Sequence, residues 1–127
     1  MIGGKVLDAS ALAELARRRP AAFAWLRTAR VLGIPLYLPT LALAEVRAVR
    51  PDAAPLLADL LTHPSVLLGE LDGATADQVE QVLLDAHVFD ATAGHVVHVA
   101  RQRGWPALTA DPGRLHHVDP DPEVDLL

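Results

Sequence analysis

FDATAGHVVHVARQRGWPALTADPG, residues 89–113, reads as one continuous helix, strand and turn. Asp90 stands where a side-chain oxygen caps the first exposed N–H groups of a helix, and ATAGHVVHVARQR supplies the helix. Gly104 ends it, because glycine adopts the left-handed conformation that closes a helix without steric penalty. PALT is short and apolar enough for a buried strand, and ADPG is a turn.

The same alternation repeats upstream. Lys5–Leu7 is a short apolar run ending at Asp8, and Ser10 is placed to cap a helix through Arg19. Pro20 suits the first turn of a second helix, PAAFAWLRTARVLG, which Gly33 closes. IPLYLP reads as a buried strand. Thr40 is expected to cap LALAEVRAVR, Asp52 a further helix through Leu61, and SVLLGEL is strand-like. Thr75 and Gln78 have the spacing of a capping box opening ADQVEQVLLDAHV. The order β-αα-β-αα-β-αα-β predicts an α/β fold, a three-layer α/β/α sandwich with a four-stranded parallel sheet covered on both faces. At 127 residues the chain is expected to form a single domain over 1–127, with 119–127 a short, irregular acidic tail.

Composition removes several function classes. Half the residues are apolar (51%) and 21% are charged, which argues against general disorder. The longest uncharged stretch, Val31 to Ala44, is broken by Pro35 and Pro39. A bilayer span needs about 20 unbroken apolar residues, so none is expected. Asp8 interrupts the N-terminus before a secretory core could develop, and the protein is expected in the cytoplasm. With no cysteine there is no disulfide, thiolate metal site or thiol nucleophile. Up to Val118 the chain carries 12 acids against 11 bases, and the other four acids are Asp119, Asp121, Glu123 and Asp125, so the net charge of -5 is mostly a property of the tail. His95 and His98 are one helical turn apart, but no third zinc ligand has a motif-like spacing. A receiver domain would need an acceptor Asp after a central strand and a lysine after a late one; Lys5, the only lysine, is at the wrong end. A dehalogenase-type phosphatase would need Asp-x-Asp where this chain has Asp8-Ala9-Ser10.

In parallel sheets, ligands bind beyond the carboxyl ends of the strands. Four acids fall there: Asp8 closes the first strand, Glu45 lies in the second turn of the helix after the second, Asp90 opens a helix, and Asp111 follows the last strand. Glu45 is flanked by apolar residues in LALAEV, where a charge near the core requires a partner. Four carboxylates in one crevice raise one another's pKa unless a cation neutralises them, and hard oxygen ligands suit Mg²⁺ or Mn²⁺.

KVLDASAL, LALAEV and FDATAGHVVHVARQRGWPALTADPGRL, with the βαα order over nearly the whole chain, resemble the PIN-domain family, in particular VapC-type toxins of VapBC toxin-antitoxin systems. The resemblance implies a metal-dependent endoribonuclease whose catalytic acids are Asp8, Glu45, Asp90 and Asp111, with Ser10 and Thr109 as supporting hydroxyls. It implies Mg²⁺ or Mn²⁺ held by Asp8, Asp90 and Asp111, an RNA substrate, a small antitoxin partner and a homodimer. In many family members the third acid stands one turn later, where this chain has Gly94. The rival expectation is a degenerate PIN-like module that binds RNA or a protein without cleaving. The apolar stretch VLGIPLYLPTLALAEV is expected to contribute part of its surface to another subunit.

Overall fold

The computed structural model describes residues 3–127; Met1 and Ile2, the first two residues of the expected domain, lie outside the described residues. The elements, in order, are β1 (Lys5–Leu7), α1 (Ala9–Ala16), α2 (Pro20–Leu32), β2 (Leu36–Pro39), α3 (Thr40–Val49), a 3-10 turn (Pro51–Ala53) and α4 (Ala54–Leu61). They continue with β3 (Val66–Gly69), α5 (Gly73–Ala86), α6 (Ala91–Arg103), β4 (Ala107–Thr109), α7 (Pro112–Val118) and β5 (Val124–Leu126).

The five strands form one parallel sheet in the order β3-β2-β1-β4-β5. The expected four-stranded, PIN-like sandwich is therefore corrected: among the described residues the architecture is α/β with a five-stranded parallel sheet and seven helices. The fifth strand comes from the segment read as an irregular tail. Pro120 and Pro122 precede the strand, and beyond them Val124, Asp125 and Leu126 align with Ala107, Leu108 and Thr109 of β4. Without β5, the outer edge of β4 would present unpaired backbone groups. Ala107 N–H donates to the Glu123 carbonyl at 3.0 Å, and Leu127 N–H to that of Thr109 at 2.9 Å. Lys5 of β1 pairs with Asp125 across β4. ADPG, read as a turn, instead opens α7.

Strand side chains alternate between two cores. Leu7, Leu36, Leu38 and Leu108 pack with Leu12, Leu15, Leu43, Val46 and Leu57 from α1, α3 and α4. Val6 and Ala107 pack with Val82, Val96, Val97, Val99 and Leu115 from α5, α6 and α7. Part of VLGIPLYLPTLALAEV is thereby internal: Ile34, Leu36, Leu38, Leu43 and Val46 are buried, whereas Val31 and Leu32 are exposed.

Several caps differ from their sequence reading because an Asx residue nearby reaches the helix start first. Asp8, not Ser10, caps α1, and Asp72, not Thr75, caps α5 by accepting from Thr75 N–H at 2.7 Å. Asp52 lies inside the 3-10 turn. Thr40 makes no cap; its hydroxyl donates to the Gly69 carbonyl at 2.6 Å, joining the ends of β2 and β3. Asp90 caps α6 and left-handed Gly104 closes it, matching the pattern read at residues 89–113.

Candidate functional site

Asp8 leaves the end of β1 and is 3% exposed. One oxygen, Oδ1, accepts from Ala11 N–H at 2.9 Å and from the Ser10 hydroxyl at 2.7 Å; the other, Oδ2, accepts from the Thr109 hydroxyl. Burial raises its pKa above the usual carboxylate value, and the three donors, with the charge of Arg114, oppose that rise. Ser10 and Thr109 also knit the strand ends together. Ser10 Oγ accepts from Ala110 N–H at 2.8 Å and lies 3.1 Å from Thr109 Oγ1, which accepts from Asp111 N–H at 2.9 Å. Thr109 is fully buried at the end of β4, so these hydroxyls fix the position of the Asp8 carboxylate.

Glu45 on α3 and Asp90 at the start of α6 meet through a residue that the sequence reading did not select, Arg114 on α7. Its Nη1 and Nη2 donate to the two Glu45 oxygens at 2.6 and 2.7 Å, while Nε and Nη2 donate to the two Asp90 oxygens at 2.7 and 2.8 Å. Two bidentate contacts to one guanidinium use the planar fork of donors that arginine alone supplies. They hold the carboxyls of Glu45 and Asp90 below their ordinary pKa values and raise that of Arg114. Asp90 keeps its capping role, accepting from Ala93 N–H at 3.1 Å. Asp111 caps α7, accepting from Arg114 N–H at 3.4 Å, and its side chain faces solvent. No local signal selects Arg114: it lies three residues after Asp111, on the first turn of α7, and its partners are distant in sequence.

Gly94 is not a vacated ligand position. A Cβ there would lie 2.8 Å from Leu83 Cδ2 and 3.3 Å from Val79 Cγ1, so glycine at 94 permits α5 to pack closely on α6. His95 is fully buried beside it with neither ring nitrogen hydrogen-bonded, and burial lowers its pKa.

No group of three or more His, Asp or Glu side chains among the described residues converges as a metal cage. The pair Glu45 and Asp90 does converge, on a cation, and Asp8 senses the same guanidinium charge. Mg²⁺ is commonly held by one or two carboxylates, with water and substrate phosphate completing its shell, so the hard oxygen donors present are chemically suited to it. An apolar cavity of about 510 Å³ lies between α5 and the start of α6, lined by Val79, Leu83, Leu84, Val88 and the fully exposed Phe89.

No family model matches the chain, and no curated protein matches it. Its fold is shared with solved structures. One is described as VapBC2 from Rickettsia felis bound to a DNA fragment from their promoter, with a TM-score of 0.72, 8% identity, and 100% of this chain and 99% of the other covered. A second is FitAcB from Neisseria gonorrhoeae, with a TM-score of 0.61, 21% identity, and 100% and 96% covered. A third is FitAB bound to an IR36 DNA fragment, with a TM-score of 0.62, 20% identity, and 100% and 94% covered. Likeness at these identities shows the fold alone. The expected membership in the PIN family, as a VapC-type toxin, is accordingly corrected: no family model matches, and the structures sharing the fold are VapBC2 and FitAB complexes, which do not assign this chain to the toxin component. No helix among the described residues is long and apolar enough to cross a membrane.

Proposed function

We propose that this chain is a metal-dependent endoribonuclease acting as one member of a toxin-antitoxin type of assembly. The observation that carries the reading is the convergence of Glu45 and Asp90 on one cation, beside a buried Asp8 held by Ser10 and Thr109 at the carboxyl ends of the strands. Asp8, Asp90 and Asp111 are the residues that would hold Mg²⁺ or Mn²⁺, with Glu45 orienting a water. A divalent cation there supplies a bound water of lowered pKa and neutralises charge on the phosphate under attack. Asp8 contributes a carboxylate fixed by three donors, so little reorganisation accompanies cation binding. Support for a protein partner comes from the solved structures sharing this fold, which are described as VapBC2 and FitAB complexes. A second copy of the chain is the further partner, in line with the exposed Phe89 beside Asp90.

A second reading, a module that binds RNA or a protein without cleaving, is favoured by one observation: Arg114 already occupies two of the four carboxylates. Thermal melting with and without Mn²⁺ separates the two. The nuclease reading expects Mn²⁺ to raise the melting temperature of the wild type and to leave Asp8→Asn nearly unmoved; no shift in the wild type favours the non-cleaving module.

A further inference from the structure

From Leu15 to Ala44 the chain has no Asp or Glu and five arginines, Arg17, Arg18, Arg19, Arg27 and Arg30, while all 16 acids fall outside this stretch. The fold gathers the five at the α1–α2 turn and along α2, and all of them are exposed. Arg17 and Arg19 share one acid, Glu14, at 3.5 and 3.6 Å. Arg18, Arg27 and Arg30 have no ion-pair partner among the described residues. The inner face of α2, with Ala22, Trp25, Leu26 and Ala29, packs on the core. Between the arginines the outer face carries the small exposed residues Ala21, Ala24 and Thr28, so nothing bulky screens the guanidinium groups.

Local stability does not explain this arrangement. Arg18 has φ 58°, in the left-handed region where a side chain is strained and glycine is favoured. Arg27 and Arg30 are one helical turn apart, where like charges repel, and Arg17 to Arg19 precede the positive end of the α2 dipole. Bound anions would relieve both electrostatic costs. The 13 residues of α2 extend the strip over about 20 Å, long enough to follow several phosphates of one strand. Its near end is joined to the acids by α1, which Asp8 caps and Arg17 follows, a separation of about 12 Å along the helix.

We propose that the α1–α2 turn and the outer face of α2 are a docking strip for the phosphate backbone of single-stranded RNA, separate from the acidic crevice and independent of any metal. The inference rests on the reading of the substrate as RNA. Guanidinium forks pair with phosphate oxygens and leave the bases unread, so the strip holds a strand without selecting its sequence. It also supplies, locally, the attraction that a chain of net charge -5 lacks as a whole.

The test measures binding of a labelled single-stranded RNA to the full chain by fluorescence anisotropy in EDTA, over a series of KCl concentrations. Each phosphate contact contributes roughly 0.7 to the slope of log affinity against log salt, so the triple variant Arg18→Gly, Arg27→Gln, Arg30→Gln should lose about 2 from that slope and bind roughly tenfold more weakly at low salt. Arg101→Gln, which removes an exposed charge paired with Asp119 on α6, should change neither. Arg18→Gly alone should raise the melting temperature while weakening RNA binding, a combination that a structural role for the side chain does not give. Equal affinity and slope in wild type and triple variant overturn the strip, and leave the nuclease reading standing if the wild type still cuts RNA. Labelled polyglutamate of the same length binding more tightly than the RNA overturns it in favour of an acidic protein segment. A wild type that binds RNA through these arginines and cuts none supports the strip and removes the nuclease.

Discussion

Arg114 grips both oxygens of Glu45, 69 residues away in sequence, at 2.6 and 2.7 Å, and thereby ties α7 to α3 over the carboxyl end of the sheet. The same guanidinium holds Asp90 at the start of α6, so three elements that share no strand are joined at one point.

That junction has a pH signature. Glu45 and Asp90 have folded-state pKa values below their unfolded ones, so their stabilisation is present above the ordinary carboxylate range, near pH 4, and is lost as pH falls through the lowered values. Half-open ion pairs of this geometry contribute about 1 kcal/mol. Urea unfolding from pH 7 to pH 3 should show Glu45→Gln less stable than wild type at neutral pH, with the gap closing in acid. A gap independent of pH would remove the ion pair as its cause.

His95 predicts an effect in the opposite sense of protonation. Its pKa is lowered by burial, so the unfolded chain takes up a proton near pH 6.5 while the folded chain does not, and stability falls as pH drops below that value. Because neither ring nitrogen has a hydrogen-bond partner, His95→Leu should stabilise the protein by about 1 kcal/mol at pH 7 and by more at pH 5. Chemical denaturation at the two pH values measures both; a destabilised leucine variant would mean that the imidazole has a partner after all.

Much of the architecture is legible in residues that act locally. Asp8 after an apolar triplet, Pro20 and Gly33 around α2, and Asp90 and Gly104 around α6 each specify their own backbone conformation. What escaped depends on partners distant in sequence. Val124–Leu126 forms a strand only because β4 offers an open edge, and alternating Asp and Pro just before it hide the pattern. Asp8, Ser10, Thr109 and Asp111 could be read as neighbours because they flank adjacent strand ends. Arg114 could not, because its partners come from α3 and the cap of α6, and nothing local marks an arginine as the partner of distant acids.

Gly94 tests the packing account of the third acid. Gly94→Ala gains helix propensity worth about 1 kcal/mol but forces Leu83 and Val79 outward, and overpacking costs roughly 1–3 kcal/mol, so a net loss is expected. Gly94→Asp should lose considerably more and recover no activity, since the carboxylate would be pressed against α5. An aspartate variant that folds normally and binds Mn²⁺ more tightly would show that position 94 faces the crevice.

Removing residues 119–127 should destabilise the chain, because β4 loses its neighbour, Thr109 its Leu127 backbone partner and Lys5 its Asp125. Since Thr109 also positions Asp8, the truncation should lower Mn²⁺-dependent activity as well. Circular dichroism melts of the full and shortened chains read the first effect, and an unchanged melting temperature would contradict it.

The central claim is that the acids at the strand ends support metal-dependent RNA hydrolysis. Its most direct test is incubation of a labelled single-stranded RNA pool with the purified chain in Mn²⁺, alongside EDTA and Asp8→Asn controls. Endonucleolytic fragments that need Mn²⁺ and fall by at least about a hundredfold in Asp8→Asn are the predicted result. An RNA pool left intact by the wild type in Mn²⁺, or cut equally well by Asp8→Asn, would contradict it.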